Sequence, residues 1–128
     1  MDAGSPGAPH FPQAAPIDAY GNGGFRFAGL SHHGSLLCLP DGIWAWPVTS
    51  ADEIDEQTLG NVLKRADELD TLILGTGRTI WLPPNHLREA FRRHQVAIDA
   101  MQTGPAIRVY NIMIGERRRV AAALVAVA

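Results

Sequence analysis

The chain has 128 residues, 46% of them apolar, with a formal net charge of −2 and an isoelectric point near 6.2. That size and composition suit one domain around one core of ordinary size. The charge excludes a general affinity for nucleic-acid backbone, which needs clustered Lys and Arg. A lone cysteine, Cys38, excludes both an intrachain disulfide framework and a Cys-rich zinc site, and it fits a reducing, cytoplasmic setting.

Met1 to Pro16 is dominated by Gly, Ala, Ser and Pro, with too few apolar side chains to anchor it, and reads as a disordered tail. It carries neither the basic start and apolar run of a secretory signal nor the arginines of a mitochondrial presequence. The longest strongly apolar run, Val120 to Ala128, is too short for a bilayer, so a soluble protein without stable membrane insertion is expected. The folded domain is expected to begin at Ile17. Ile17 to Tyr20 and Phe25 to Leu30 read as strands around the glycine turn Gly21–Gly24, with Phe25 and Phe27 on one face and Arg26 on the other. His32-His33-Gly34 marks a further turn with exposed histidines. Adjacent histidines point opposite ways in extended chain, so the pair is not expected to hold a metal.

Ser35 to Leu39 and Ile43 to Val48 form a hairpin across Pro40-Asp41-Gly42, where Pro fixes φ and Gly permits a left-handed residue. Trp44 and Trp46 share one face of the second strand, either covering the core or standing out as a contact patch, with the core favoured. Cys38, between Leu37 and Leu39, is expected to be buried and inert. Ser50-Ala51-Asp52-Glu53 matches a capping box, and Leu59, Val62, Leu63 and Ala66 recur at helical spacing, so a first helix is expected over Glu53 to Leu69. Acidic residues early in it and Lys64 and Arg65 late complement the helix dipole. Gly60 marks a break or a close contact.

Asp70 to Gly77, Asp-Thr-Leu-Ile-Leu-Gly-Thr-Gly, reads as the central buried strand stopped by paired glycines. Pro84 then opens a second helix with Leu87, Ala90 and Phe91 inward and Arg88, Arg92, Arg93 and His94 outward. Val96 to Met101 is the next strand, and this alternation signals a partly parallel sheet with crossover helices. Thr103 and Pro105 suit a helix start, yet Ala106 to Ile114 is apolar on several sides and fits a buried helix or a strand. Val120 to Val127 makes the closing strand. The fold class is a single mixed α/β domain with three helical patterns and N-terminal β-hairpins.

If the strands over Leu72–Leu74 and Val96–Ala100 are parallel neighbours, Gly75, Thr76 and Gly77 meet Thr103 and Gly104 at one crevice. Backbone N–H groups there and the helix N-terminus would receive a carboxylate or small phosphate, with Arg78 or Arg108 supplying charge. No general base belongs to this set, so the expectation is binding without turnover, no catalytic residue and no cofactor, with a small-ligand binder or an undetected enzyme using this groove as the alternative to an interaction protein.

Tyr20-Gly21 with Gly24-Phe25, then Pro40-Asp41-Gly42 with Trp46, then Leu72 to Gly77, then Met101, Thr103-Gly104, Tyr110-Asn111 and Glu116-Arg117-Arg118 before Val120 to Leu124 follow one another in a distinctive order. In this order the chain, from about Ile17 to its end, resembles the small α/β family of the Mth938-like domain. That family includes the mitochondrial NADH:ubiquinone oxidoreductase complex assembly factor 3 and the adipogenesis-associated domain protein. The resemblance implies three layers around a mixed central sheet, a helix over Thr103 to Gly115, and no established enzyme chemistry. It carries over to Arg108, Tyr110, Asn111, Glu116 and Arg117, whereas Gln102 stands before Thr103 where the family commonly has an acidic residue. It further implies an interaction or assembly role with an unidentified protein partner.

Overall fold

A computed structural model describes residues 8–128. Its strands are β1 Ile17–Gly21, β2 Gly24–Phe27, β3 Leu30–His33, β4 Ser35–Leu39, β5 Gly42–Trp46, β6 Thr71–Gly75, β7 Ala97–Met101 and β8 Val120–Leu124; its helices are α1 Gly60–Leu63, α2 Asn85–Arg92 and α3 Thr103–Gly115. β1-β2-β3 make an antiparallel three-stranded sheet, and a second sheet has the order β5-β4-β8-β6-β7. In the larger sheet β6 runs parallel to both β7 and β8, while β4 is antiparallel to β5 and β8. Mixed pairing around one sheet is as expected, and Thr103–Gly115 is a helix.

Each face of the larger sheet carries its own core. On one, Leu37, Leu39, Trp44, Trp46, Leu72, Leu74, Ala121 and Ala123 meet Leu59, Val62 and Leu69 and the α2 residues Leu87 and Phe91. On the other, Leu36, Cys38, Ile43, Ile73, Ala122 and Leu124 meet Ala106, Ile107 and Tyr110 of α3 and Ile17, Phe25 and Phe27 of the small sheet. The three-layer arrangement follows from this alternation along each strand. Both tryptophans are core, and the Arg65 guanidinium lies 4.7 Å over the Trp44 ring.

Several sequence expectations need correction. The middle strand is β8, not β6. Its run Val-Ala-Ala-Ala-Leu is buried throughout, and alanines on both faces let covering elements approach the sheet closely. It ends at Leu124, where its register with Gly75 ends, rather than at Val127. No continuous helix covers Glu53 to Leu69: 3-10 turns at Ala51–Glu53 and Ala66–Glu68 flank the short α1. Asp55 and Thr58 form a capping box that starts a separate turn, and a side chain diverts the Thr58 carbonyl. Asp55 N–H donates to Thr58 Oγ1 at 2.9 Å and Thr58 N–H to Asp55 Oδ1 at 2.8 Å, while Trp46 Nε1 occupies the Thr58 carbonyl at 2.7 Å. Ser50 makes no capping bond to the backbone, and Glu53 instead receives the Thr49 N–H at 2.6 Å.

A further correction concerns the tail, of which Met1 to Gly7 lies outside the described residues. Beyond it, His10 N–H donates to the Ile43 carbonyl at 2.8 Å and Ile43 N–H to the Phe11 carbonyl at 2.9 Å. Phe11 packs edge-on to Phe27 with ring centroids 6.4 Å apart, and Ala15 is buried. These apolar residues fasten the segment across the otherwise open edge of β5. Finally, His32 and His33 belong to β3 rather than to a turn.

A methyl at Gly75 would lie 2.9 Å from Leu124 Cδ2, 3.1 Å from Thr103 Cα and 3.2 Å from Ala106 Cβ, whereas one at Gly60 would meet nothing within 4 Å. Gly75→Ala is therefore expected to cost about 1–3 kcal/mol by overpacking. Gly60→Ala is expected to be neutral or to stabilise by up to about 1 kcal/mol. Denaturant unfolding of both variants beside the parent checks the contrast.

Candidate functional site

The parallel register of β6 and β7 does bring Gly75–Gly77 against Thr103–Gly104. Gly77, with φ +88°, turns the chain so that its N–H donates to Thr103 Oγ1 at 2.9 Å and its carbonyl accepts the Thr103 N–H at 3.0 Å. Thr103 Oγ1 in turn donates to the Val125 carbonyl at 2.8 Å. Thr76 N–H goes to the Met101 carbonyl at 2.8 Å, and Val125 N–H to the Gly75 carbonyl at 2.8 Å. Thr76 Oγ1 donates to the Thr79 carbonyl at 2.7 Å.

This junction has spent the donors that an anion would need. Ala106 N–H is taken by the Gln102 carbonyl and Pro105 has none, which leaves Gly104 alone in the first turn of α3. Arg78 donates to the Ala128 carbonyl at 2.5 Å. A cleft of about 450 Å³ remains beside it, lined by Tyr20, Gly77, Arg78, Gln102, Gly104 and Pro105 among others. Arg108 is exposed and borders a separate cleft with Asp18, Tyr20 and Asn111.

A larger concavity of about 580 Å³ lies on the small sheet, lined by Ala19 to Asn22, Gly24 to Arg26 and Ser31 to His33. Pairing places Arg26 directly opposite Ser31 and His33 opposite Gly24. On the same strand His32 faces the other way, with its ring 5.1 Å from that of His10. Its Nε2 is buried without a hydrogen-bond partner, and burial first, then the neighbouring His10, lowers its pKa. Sequence reading missed this basin, although the alternation Phe25-Arg26-Phe27 already sent Arg26 away from the core. Among the described residues no group of three or more His, Cys, Asp or Glu is placed to hold a metal ion, and no helix is long and apolar enough to cross a membrane.

The family model described as "Protein of unknown function (DUF498/DUF598)" matches residues 17–125. The chain belongs to this family. It is 31% identical to the mouse protein named NADH dehydrogenase [ubiquinone] 1 alpha subcomplex assembly factor 3, over 90% of this chain and 62% of that protein. The chain thus matches less than two thirds of the length of that relative. Among solved structures it is similar to a Rhodopseudomonas palustris protein, with 60% identity, a TM-score of 0.82, and coverage of 98% of this chain and 93% of that one. It is similar also to a Bordetella pertussis protein described as an Mth938-like domain, with 26% identity, a TM-score of 0.75, and coverage of 87% and 85%.

The residues carried over from the family pattern act mainly within the fold. Asn111 of α3 receives the Ile17 N–H on Oδ1 and donates Nδ2 to the Ile17 carbonyl, both at 2.9 Å, so one side chain stands in for a strand partner of β1. Tyr110 is buried; its hydroxyl donates to the Ala15 carbonyl at 3.4 Å, in the same core as Cys38. Arg117 occupies the left-handed region with φ +60° at the turn out of α3, and Glu116 lies 3.7 Å from Arg118 on the surface. The surface ion pair contributes little.

Asn111→Ala is expected to cost about 2 kcal/mol by leaving two backbone groups unpaired. It should speed amide exchange over Ile17–Phe27 while leaving β6 and β8 protected. Burial pushes the Cys38 thiol from 9.0 up to about 12, so the folded chain holds a proton that the unfolded chain releases above pH 9. Stability is therefore expected to be unaffected by this group below about pH 9 and to fall by about 1.4 kcal/mol per unit between there and pH 12. Unfolding curves of the parent and Cys38→Ala across that window measure it, the variant lacking this component of the slope.

Proposed function

We propose that the chain is a non-catalytic interaction protein that serves the assembly of a multi-subunit respiratory complex from the cytoplasm. The observation that carries this reading is the segment after β6. Ile80 and Leu82 are 75% and 80% exposed, while Trp81 between them packs partly buried against the core and Pro83 is buried. The tryptophan and two successive prolines hold the apolar pair outward in a restricted conformation. Burying each of the two against a partner would contribute about 1.5–3 kcal/mol, and exposed apolar clusters of this kind mark contact surfaces. The name of the mouse relative, an NADH dehydrogenase assembly factor, supports subunits of such an enzyme as the partner class.

A second reading, a small anionic ligand in the cleft at Gly75–Gly77 and Thr103–Gly104, draws support from the cleft's volume. The engagement of its donors weighs against it, and Arg78 would first have to leave the Ala128 carbonyl. Affinity capture of the tagged full chain from membranes of its native cells tests the first reading. NADH dehydrogenase subunits are expected with the parent, and at least tenfold less of them with Ile80→Ser/Leu82→Ser at unchanged melting temperature. Equal recovery with both chains would overturn it.

A further inference from the structure

The outer face of the three-stranded sheet carries a combination that neither the packing of the core nor a partner at Ile80–Leu82 accounts for. Opposed residues in an antiparallel pair share a face. The register Ala19↔Arg26↔Ser31 and Gly21↔Gly24↔His33 therefore places Ala19, Arg26, Ser31 and His33 on one side. Gly21 and Gly24 pave the floor between them without side chains. The floor is enforced at Gly24, where a Cβ would lie 2.2 Å from the His32 carbonyl oxygen. The result is a concavity of about 580 Å³ with Arg26, Ser31, Asn22 and His33 in its lining and, among the described residues, no carboxylate there. Its volume is within the range of small-molecule sites.

Arg26 is exposed, and no ion pair of the described residues involves it. Its guanidinium presents a planar fork of donors suited to an oxyanion. A hydroxyl, a side-chain amide and an imidazole add donors from other directions, which suits the three free oxygens of a phosphate monoester better than the two of a carboxylate. We propose that this face of the small sheet binds a phosphate-bearing small molecule through Arg26, Ser31 and His33 over the Gly21–Gly24 floor. The site is distinct from the cleft beside Gly77 and Gly104, where the N–H groups of Thr76, Gly77, Thr103 and Ala106 already have partners.

The test is a titration of the full chain with inorganic phosphate, followed by amide chemical shifts at constant ionic strength, with acetate as comparison. Saturable shifts are expected at Gly21, Gly24, Arg26, Ser31 and His33, stronger for phosphate than for acetate, with Gly77 and Gly104 unmoved. Arg26→Gln and Ser31→Ala replace exposed side chains, and retention of the parent melting temperature shows that they fold. R26Q is expected to weaken binding at least tenfold and S31A severalfold. No saturable shift in the basin up to tens of millimolar phosphate, or equal shifts in R26Q, would overturn the proposal. Vesicles of phosphatidylcholine with one-third phosphatidic acid, whose headgroup is a phosphate monoester, separate two sources of the same chemistry. Co-sedimentation that R26Q abolishes supports a lipid headgroup as the phosphate bearer, and a positive phosphate titration without co-sedimentation supports a soluble molecule.

Discussion

One threonine hydroxyl holds together the end of the molecule on which the rest is arranged. Thr103 Oγ1 accepts from Gly77 and donates to the Val125 carbonyl, so the chain leaving β6, the chain leaving β8 and the first turn of α3 converge on one fully buried side chain. A buried hydroxyl that both donates and accepts leaves no polar group stranded, and replacing it would expose at least two backbone groups to desolvation without compensation. The same junction requires glycine at position 75, because α3 sits too close to the sheet for any side chain there. The third constraint on α3 is Asn111, which draws β1 onto the helix through two backbone contacts. Sheet, helix and small sheet are thereby fixed in sequence by polar contacts, with the two apolar cores filling the space between.

That economy of donors shapes where function can reside. At the carboxyl ends of parallel strands an α/β protein commonly keeps N–H groups free for a ligand, but here they hold the fold instead. What is left for recognition lies outward. The Ile80–Leu82 segment offers apolar surface on a tryptophan anchor, and the outer face of the small sheet offers a cation and hydroxyl over a glycine floor. The two differ in chemistry and rest on different elements, so a protein partner at one need not compete with a small molecule at the other.

Much of the fold was legible where the determining contacts are local. The hairpin around Pro40-Asp41-Gly42, the α2 face with Leu87, Ala90 and Phe91, and the glycine-terminated strand at Leu74–Gly77 follow from turn chemistry and periodicity. The middle position of β8 was not legible, because Val120–Leu124 alternates no polar residue and its pairing partners lie more than forty residues away in sequence. The segment after Ser50 misled for a different reason. Its helical spacing is real, but Asp55 and Thr58 cap a separate turn that starts at Asp55, and Trp46 takes the Thr58 carbonyl. The juxtaposition of Gly75–Gly77 with Thr103–Gly104 was foreseeable from the parallel alternation, whereas the spending of their donors depends on side-chain geometry that no spacing encodes. The basin at Arg26 was hidden because it exists only through the register of β2 on β3, which sets Arg26 against Ser31.

The central functional claim is that the exposed pair beside Trp81 contacts a protein. Site-specific photo-crosslinking in the native cells tests it most directly, with a photoreactive residue placed at position 82 and, in separate chains, at the exposed positions 26 and 93. The account predicts a discrete crosslinked product at position 82 that contains a subunit of an NADH dehydrogenase, with no such product at position 93. Crosslinking at 82 that is no stronger or more discrete than at 93 would contradict it.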